Sequence, residues 1–328
     1  MIISRTPFRI SFFGGGTDYP KWYLKYGGSV LATTIDKYCY LYVRYLPPFF
    51  WHKYRIVYSK IELVNHPEEI KHPAVREVLK FLNINKGVEI QHQGDLPARS
   101  GMGSSSSFTV GLLNALYALS GKMVTKKQLA YNAIYVEQQM IKEHVGSQDQ
   151  TLAAFGGFNL IEFKKTGEIE VKPVILPKEF LKEFQRYFLL FFTGIQRTAS
   201  NIAKKQIENF DNREKELKTM HKLVYEALSI LQKEYLEDFG KLLHETWSYK
   251  RSLAKEVSNS TIDEIYQAGI EAGALGGKLL GAGGGGFILF FAPPKMHEKI
   301  KEKLKKLLYV PFNFEFLGSQ IIYYKPDL

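Results

Sequence analysis

The sequence is poor in cysteine, in long apolar runs and in repetition. Its 328 residues hold one cysteine, Cys39, so no disulfide forms within the chain and a reducing compartment is the expected setting. No uninterrupted apolar run approaches the roughly 18 residues of a membrane-spanning helix, and the opening MIISRTPFRISFFGGG lacks a secretory apolar core. Together these absences give a cytoplasmic protein with no membrane partner as the expectation. There is no internal repeat and no low-complexity tract. Two common catalytic signatures are missing as well. The nearest approach to G-x-x-x-x-G-K-[ST], AGALGGKL at residues 272–279, lacks the first glycine and the final hydroxyl, and no G-x-S-x-G is present. An ordinary P-loop enzyme and a serine hydrolase of the nucleophile-elbow type are thereby excluded.

What is present describes an ordered globular protein: 45% hydrophobic, 14% aromatic and 23% charged residues. The length exceeds one usual hydrophobic core, so two domains with a cleft between them are expected. The 44 Lys and Arg against 33 Asp and Glu give +11, a balance that favours anionic partners: nucleic acid, anionic membrane, nucleotide or phosphorylated metabolite. The basic residues are spread along the chain. Their densest stretch, PPKMHEKIKEKLKKLL at 293–308, has the spacing of an amphipathic helix with a solvated face.

The first third reads as strand, in SVLATTIDKYCYLYVRYL, YRIVYSKIELV and GVEIQHQGDLP. Two helices follow, SSFTVGLLNALYALSG and TKKQLAYNAIYVEQQMIKEHVG, the second with Thr125 as N-cap. Strand pattern returns in GGFNLIEF and EIEVKPVILP, and Pro173 and Pro177 mark a boundary. Domains of 1–177 and 178–328 are therefore expected. The second opens on the strand RYFLLFFTG, runs through a long charged helical region at 199–257, and closes with GAGGGG, the strand FILFFAP, the basic helix and the strand SQIIYYKP. The mixture indicates α+β layers rather than a regular βαβ array.

Four stretches carry chemistry. In PARSGMGSSSSFTVGLLNALYALSG, residues 97–121, a glycine turn enters a helix whose free N–H groups and dipole favour phosphate. Taken alone it is equally a serine-capped helix. GAGGGG at 281–286 formally matches G-x-G-x-x-G, but a strand follows where the dinucleotide fingerprint needs a helix. It is either a flexible turn or a place of close backbone approach. FRISFFGGGTDYP puts Arg9 before a glycine turn and Asp18 after it, a cation for phosphate or developing alkoxide and an acid for hydroxyl groups. YVEQQMIKEHVGSQDQ places Glu137 on a helix and Asp149 in the following loop. An acid for a metal and an acid for a hydroxyl proton are what phosphoryl transfer to an alcohol requires, although each taken singly is also an ordinary surface carboxylate.

Together these stretches resemble the GHMP kinase superfamily, named for galactokinase, homoserine kinase, mevalonate kinase and phosphomevalonate kinase. RTPFRISFFGGGTDYP, LPARSGMGSSSS and KLLGAGGGG stand in the family's order across nearly the whole chain, with Met102 replacing the leucine of P-x-x-x-G-L-G-S-S. The resemblance is greatest to the sugar 1-kinases. Galactokinases carry G-E-H-T-D-Y where this chain has GGGTDY, so Gly15 and Gly16 replace two polar sugar contacts and argue against galactose. GGGTD, GSQDQ and TGIQRTAS are similar to the bacterial D-glycero-D-manno-heptose 7-phosphate kinases, with the fucokinase domain as a near relative.

The resemblance implies an N-terminal domain like the second domain of ribosomal protein S5, a ferredoxin-like C-terminal domain, and a site between them. It implies ATP and Mg²⁺ as cofactors and a sugar or sugar phosphate as partner. Gly101, Met102, Gly103, Ser104, Ser105 and Ser106 would hold the ATP phosphates, with Ser105 and Glu137 as Mg²⁺ ligands. Asp149 would be the catalytic base and Arg9 the cation beside the reacting hydroxyl. Gly15, Gly16, Asp18 and Asp149 would contact the acceptor, with Gly283, Gly284 and Gly285 close by. An acceptor already phosphorylated at position 7 needs a cation opposite its anomeric end, and Arg197 is the residue suited to it. The expected reaction is transfer of the ATP γ-phosphoryl group to the anomeric hydroxyl of D-glycero-D-manno-heptose 7-phosphate, by a monomer or homodimer. Two alternatives stand beside it. One is a kinase of an unphosphorylated sugar such as L-fucose. The other is a non-catalytic nucleic-acid-binding protein, suggested by the charge and the 20 tyrosines but unsupported by any basic-aromatic cluster.

Overall fold

A computed structural model describes residues 1–195 and 199–325. The first sheet has nine strands: β1 (Ile2–Phe13), β2 (Gly28–Tyr45), β3 (Tyr54–Val57), β4 (Ile61–Val64), β5 (Val88–Gly94), β6 (Phe158–Phe163), β7 (Ile169–Pro173), and two that arrive from the far end of the chain, Phe314–Glu315 and Gln320–Tyr324. Its main path runs β13-β1-β2-β5-β3-β4, where β13 is Gln320–Tyr324. β6 pairs with β2 and β7, and β12 (Phe314–Glu315) pairs with β2. The second sheet has four antiparallel strands in the order β11-β8-β10-β9: Leu308–Tyr309, Phe188–Phe192, Phe287–Phe291 and Gly276–Leu279. The chain is thus α+β with two sheets. A cut at 177/178 does not separate them, because β12 and β13 lie beyond the cut and pair into the first sheet.

The helices are α1 (Pro20–Tyr26), α2 (Pro73–Phe81), α3 (Ser104–Leu119), α4 (Lys126–Tyr135), α5 (Gln148–Phe155), α6 (Lys178–Arg186), α7 (Ala199–Glu208), α8 (Glu214–Gln232), α9 (Leu236–Ser252), α10 (Ser260–Glu271) and α11 (His297–Lys303). The long charged region expected at 199–257 is therefore three helices. Among the described residues no helix is long and apolar enough to cross a membrane.

Helix α3 is apolar on nearly every side, from Phe108 through Leu119, and it lies buried on β1 and β2. Gly111 permits the approach, since a Cβ there would stand 2.7 Å from Thr6 Oγ1. Helix α4 starts as expected at Thr125, whose hydroxyl accepts from Gln128 N–H at 3.2 Å while the Gln128 side chain accepts from Thr125 N–H. The sheets share an aromatic core. Phe12 of β1 stacks on Phe188 of β8 at 5.1 Å and meets Phe239 of α9 edge-on at 6.0 Å, and Phe184 of α6 meets Phe239 at 4.8 Å. Each such ring is buried, and burying one contributes about 1.5–3 kcal/mol. This core carries the two sheets as one frame.

Candidate active site

The phosphate loop is built by backbone conformation. Gly101 and Gly103 take φ of +83° and +74°, left-handed values that favour glycine, and Gly103 is the N-cap of α3. The amides of the first turn are consequently left free at the positive end of a sixteen-residue helix. The second glycine cluster abuts this loop. A Cβ on Gly101 would stand 2.5 Å from Leu280 O, one on Gly281 would stand 2.5 Å from Gly101 Cα, and Gly286 is pressed against Ser100 O, which also accepts from Phe287 N–H at 3.2 Å. Close backbone approach is the reason for the glycines. The middle of the cluster faces elsewhere: Gly283 and Gly284 pack on Val257, with Gly284 N–H donating to its carbonyl at 2.8 Å, and Gly285 packs on Ile195. Of the cluster, Gly281 and Gly286 touch the loop.

Arg9 and Asp149, 140 residues apart in sequence, form a two-pronged ion pair. Arg9 Nε donates to Asp149 Oδ1 at 2.8 Å and Nη2 to Oδ2 at 2.7 Å, while Nη1 donates to Gly101 O at 2.7 Å. The pair touches the loop at Gly103, where a Cβ would stand 3.1 Å from Arg9 Cγ and 3.3 Å from Asp149 Oδ2. Asp149 lies in the first turn of α5 rather than in a loop, and it is the more open partner, with 24% of its side chain exposed against 6% for Arg9. The forked guanidinium thus orients the carboxylate and anchors it to the loop carbonyl.

Asp18 is buried behind them. Gly16 N–H donates to its Oδ1 at 3.0 Å, and Ser147 N–H donates to its backbone carbonyl at 2.9 Å. Burial pushes its carboxyl above the usual range. The charge of Asp149 adds to this, and backbone N–H groups of Gly16 and Gln148 act in the opposite sense. Gly146 makes room for the Asp18 carboxylate, since a Cβ there would overlap it. Gly15 opens toward Ser11 and Gln148, whereas Gly16, at φ +112°, turns toward Leu217 and Leu253.

Glu137 is fully buried on a π-helical turn, Val136–Met140, that extends α4. Such turns recur at functional sites. Ser106 Oγ donates to Glu137 Oε2 at 2.8 Å, and Gln150 Nε2 donates to the same oxygen. The serine beside Glu137 is therefore Ser106, not Ser105, which is exposed on the first turn of α3. Burial pushes the Glu137 carboxyl up to about 7, against the opposing effect of the neighbouring Thr109, Ser106 and Gln150 side chains. Its Oε1 has no partner among the described residues. That orphaned oxygen fits a hard cation. No group of three or more His, Cys, Asp or Glu is gathered to hold a metal among the described residues.

Three further side chains escaped the sequence reading. Lys278 of β9 is fully buried, donates to Phe12 O at 2.6 Å, and ties the second sheet to the strand bearing Arg9. Burial pushes its ammonium well below its usual range, and Lys250 and Arg9 add to the effect. Lys250 of α9 donates to Gly281 O, fixing the glycine cluster from behind. Gln150 completes the Glu137 environment. The signal for Lys278 was its position as the one charge in the apolar run GGKLL. Arg197 lies outside the described residues.

A glycine-built anion cradle at a helix N-terminus, with an oriented carboxylate and a guanidinium beside it, defines an enzyme that transfers phosphoryl groups to a hydroxyl. Residues 69–157 match the model of the GHMP kinases N terminal domain and residues 227–310 that of the GHMP kinases C terminal domain. The chain is 31% identical over 322 residues to the D-glycero-alpha-D-manno-heptose 7-phosphate kinase of Campylobacter jejuni, covering 94% of this chain and 95% of that one. It is 25% identical over 333 residues to the L-fucokinase/L-fucose-1-P guanylyltransferase of Bacteroides fragilis, covering 89% of this chain and 34% of that longer protein. A crystal structure of a D-glycero-D-manno-heptose 1-phosphate kinase from Bacteroides thetaiotaomicron has the same fold, with a TM-score of 0.82 at 22% identity, over 99% of this chain and all of that one. The chain belongs to the GHMP kinase family, whose members use ATP as phosphate donor. Membership removes the non-catalytic alternative.

Proposed function

We propose that this kinase transfers the γ-phosphoryl group of ATP to the anomeric hydroxyl of a sugar, D-glycero-D-manno-heptose 7-phosphate. The observation that carries the reading is the Arg9–Asp149 pair held against Gly101 and Gly103. It sets a proton acceptor and a fixed cation beside the phosphate cradle, where an acceptor hydroxyl and a γ-phosphate would meet. Similarity along the whole chain to the Campylobacter jejuni enzyme supports the heptose phosphate. Glycines at 15 and 16, in place of two polar sugar contacts, argue against galactose.

In this reading the amides and hydroxyls of Gly101, Met102, Gly103, Ser104, Ser105 and Ser106 hold the ATP phosphates. Asp149 takes the proton of the anomeric hydroxyl on a carboxylate lone pair as that oxygen bonds to phosphorus. Arg9 keeps the carboxylate aimed and stabilises charge on the transferring group, and ADP leaves. Glu137, through its unpaired Oε1, and Ser106 would hold Mg²⁺, which would supply charge neutralisation to the phosphates. Asp18 binds acceptor hydroxyls, and Arg197 the acceptor's phosphate. The test is a panel of sugars with Mg-ATP, read as sugar 1-phosphate by phosphorus NMR. The heptose 7-phosphate should exceed L-fucose in kcat/KM by on the order of 10² or more, because a free sugar offers no partner to the cation that pairs with the distal phosphate. A preference for L-fucose would overturn the acceptor and leave the kinase chemistry standing.

A further inference from the structure

Beside the reacting pair the site holds two polar side chains with no employment so far. Ser11 follows Arg9 by two residues on β1 and so shares its face of the strand. Gln148 precedes Asp149 at the start of α5. Both are nine-tenths buried, at 8% and 9% exposed, and neither Ser11 Oγ nor Gln148 Oε1 has a hydrogen-bond partner among the described residues. A buried polar atom without a partner is destabilising and calls for a reason. The two side chains converge on one place: a Cβ on Gly15 would have Gln148 Nε2 and Ser11 Oγ as its neighbours, each at 3.9 Å. The same turn continues into Asp18, whose carboxylate accepts from Gly16 and Gln148 N–H groups.

We propose that Ser11 and Gln148 are specificity-determining residues that bind hydroxyl groups of the acceptor in the space fronting Gly15. The inference rests on the sugar-kinase reading above and adds how the acceptor is recognised. A serine hydroxyl and a carboxamide each donate and accept, as a sugar hydroxyl does, whereas a phosphate offers acceptors only. The pair therefore reads the neutral polyol and leaves the phosphate to a cation. Gly15 is glycine because a side chain there would occupy the space. Ligand hydroxyls would complete the two open valences, and an acceptor lacking one would leave a buried group unpaired, the arrangement that gives the steepest discrimination.

The test uses the full chain with Mg-ATP, the variants Ser11→Ala and Gln148→Met, and a set of singly deoxygenated acceptors. Wild type should lose about 10²-fold or more in kcat/KM for at least one deoxy acceptor. Each variant should raise KM for the parent acceptor about tenfold with KM for ATP unchanged, and should lose little more on the deoxy acceptor that lacks its partner hydroxyl. Melting temperatures confirm folding, and the wild-type deoxy series tests the inference even where a variant does not fold. Deoxygenation that changes wild-type kcat/KM by less than threefold at every position overturns it. So does a fall in kcat alone in both variants, which would mean that they merely disturb Asp149. Turnover of no sugar by wild type would instead overturn the function on which the inference rests.

Discussion

The contact between the two glycine loops can be tested by adding one methyl group. Gly101→Ala places a Cβ 2.5 Å from Leu280 O at a φ of +83°. The left-handed conformation costs alanine about 1–2 kcal/mol. Overpacking against a backbone carbonyl, which has no rotamer by which to escape, adds about 1–3 kcal/mol. Loss of glycine's freedom in the unfolded chain returns about 0.4–1 kcal/mol. A net loss of about 1–5 kcal/mol follows, centred at about 3. Gly121→Ala is the matched control, with φ +66° and nothing within 4 Å of its Cβ, so it bears the conformational term alone and should lose about 1 kcal/mol or less. Urea denaturation of both variants gives the difference, and steady-state kinetics gives its functional side. Gly101→Ala should raise KM for ATP or lower kcat by about tenfold or more, because about 1.4 kcal/mol of misplacement is a factor of ten. Gly121→Ala should behave as wild type. Equal destabilisation by the two, with normal kinetics in Gly101→Ala, would refute the interlock.

Asp149→Asn should lower kcat by on the order of 10² to 10⁴, measured by coupled ADP release, and a loss of only a few-fold would reduce Asp149 to an orienting role. Arg9→Lys keeps the charge but loses the fork that holds both Asp149 oxygens and Gly101 O. kcat should fall by about tenfold or more, and unchanged kcat would mean that charge alone suffices. Glu137→Gln tests the buried acid through pH. Folding raises this carboxyl from 4.5 to about 7, so the native state holds the proton more tightly than the unfolded chain. The contribution to stability is full below about pH 4.5 and is lost as pH rises toward 7, by on the order of 3 kcal/mol at the plateau. The melting temperature of the ligand-free Gln variant should overtake wild type progressively across that window, and a pH-independent difference would contradict the assignment.

The sequence made the three motifs and most strands legible because each is a local pattern: β-branched and aromatic residues in β2, glycines before α3, Thr125 as the N-cap of α4. Arg9 and Asp149 were each legible as candidate charged groups, but only the family resemblance joined them in one site, since no local rule connects positions 140 residues apart. That Ser106 rather than Ser105 bonds Glu137 was not legible, because each helical residue turns about 100° and which serine faces Glu137 depends on where the helix begins. The π turn at Glu137 has no signature in the side-chain pattern. Lys278 was hidden because its partner is a backbone carbonyl of β1, and Ser11 and Gln148 gained meaning only once Gly15 was seen between them.

The return of Phe314–Glu315 and Gln320–Tyr324 to the first sheet bears on how the molecule is made. Strand β1 must wait on one side for a neighbour synthesised some three hundred residues later. During translation that edge stays open, a template for wrong pairings until the last strands leave the ribosome. A chain interrupted near residue 310 would hold every motif of the site and still expose β1. Its failure would appear first as aggregation and only second as lost catalysis.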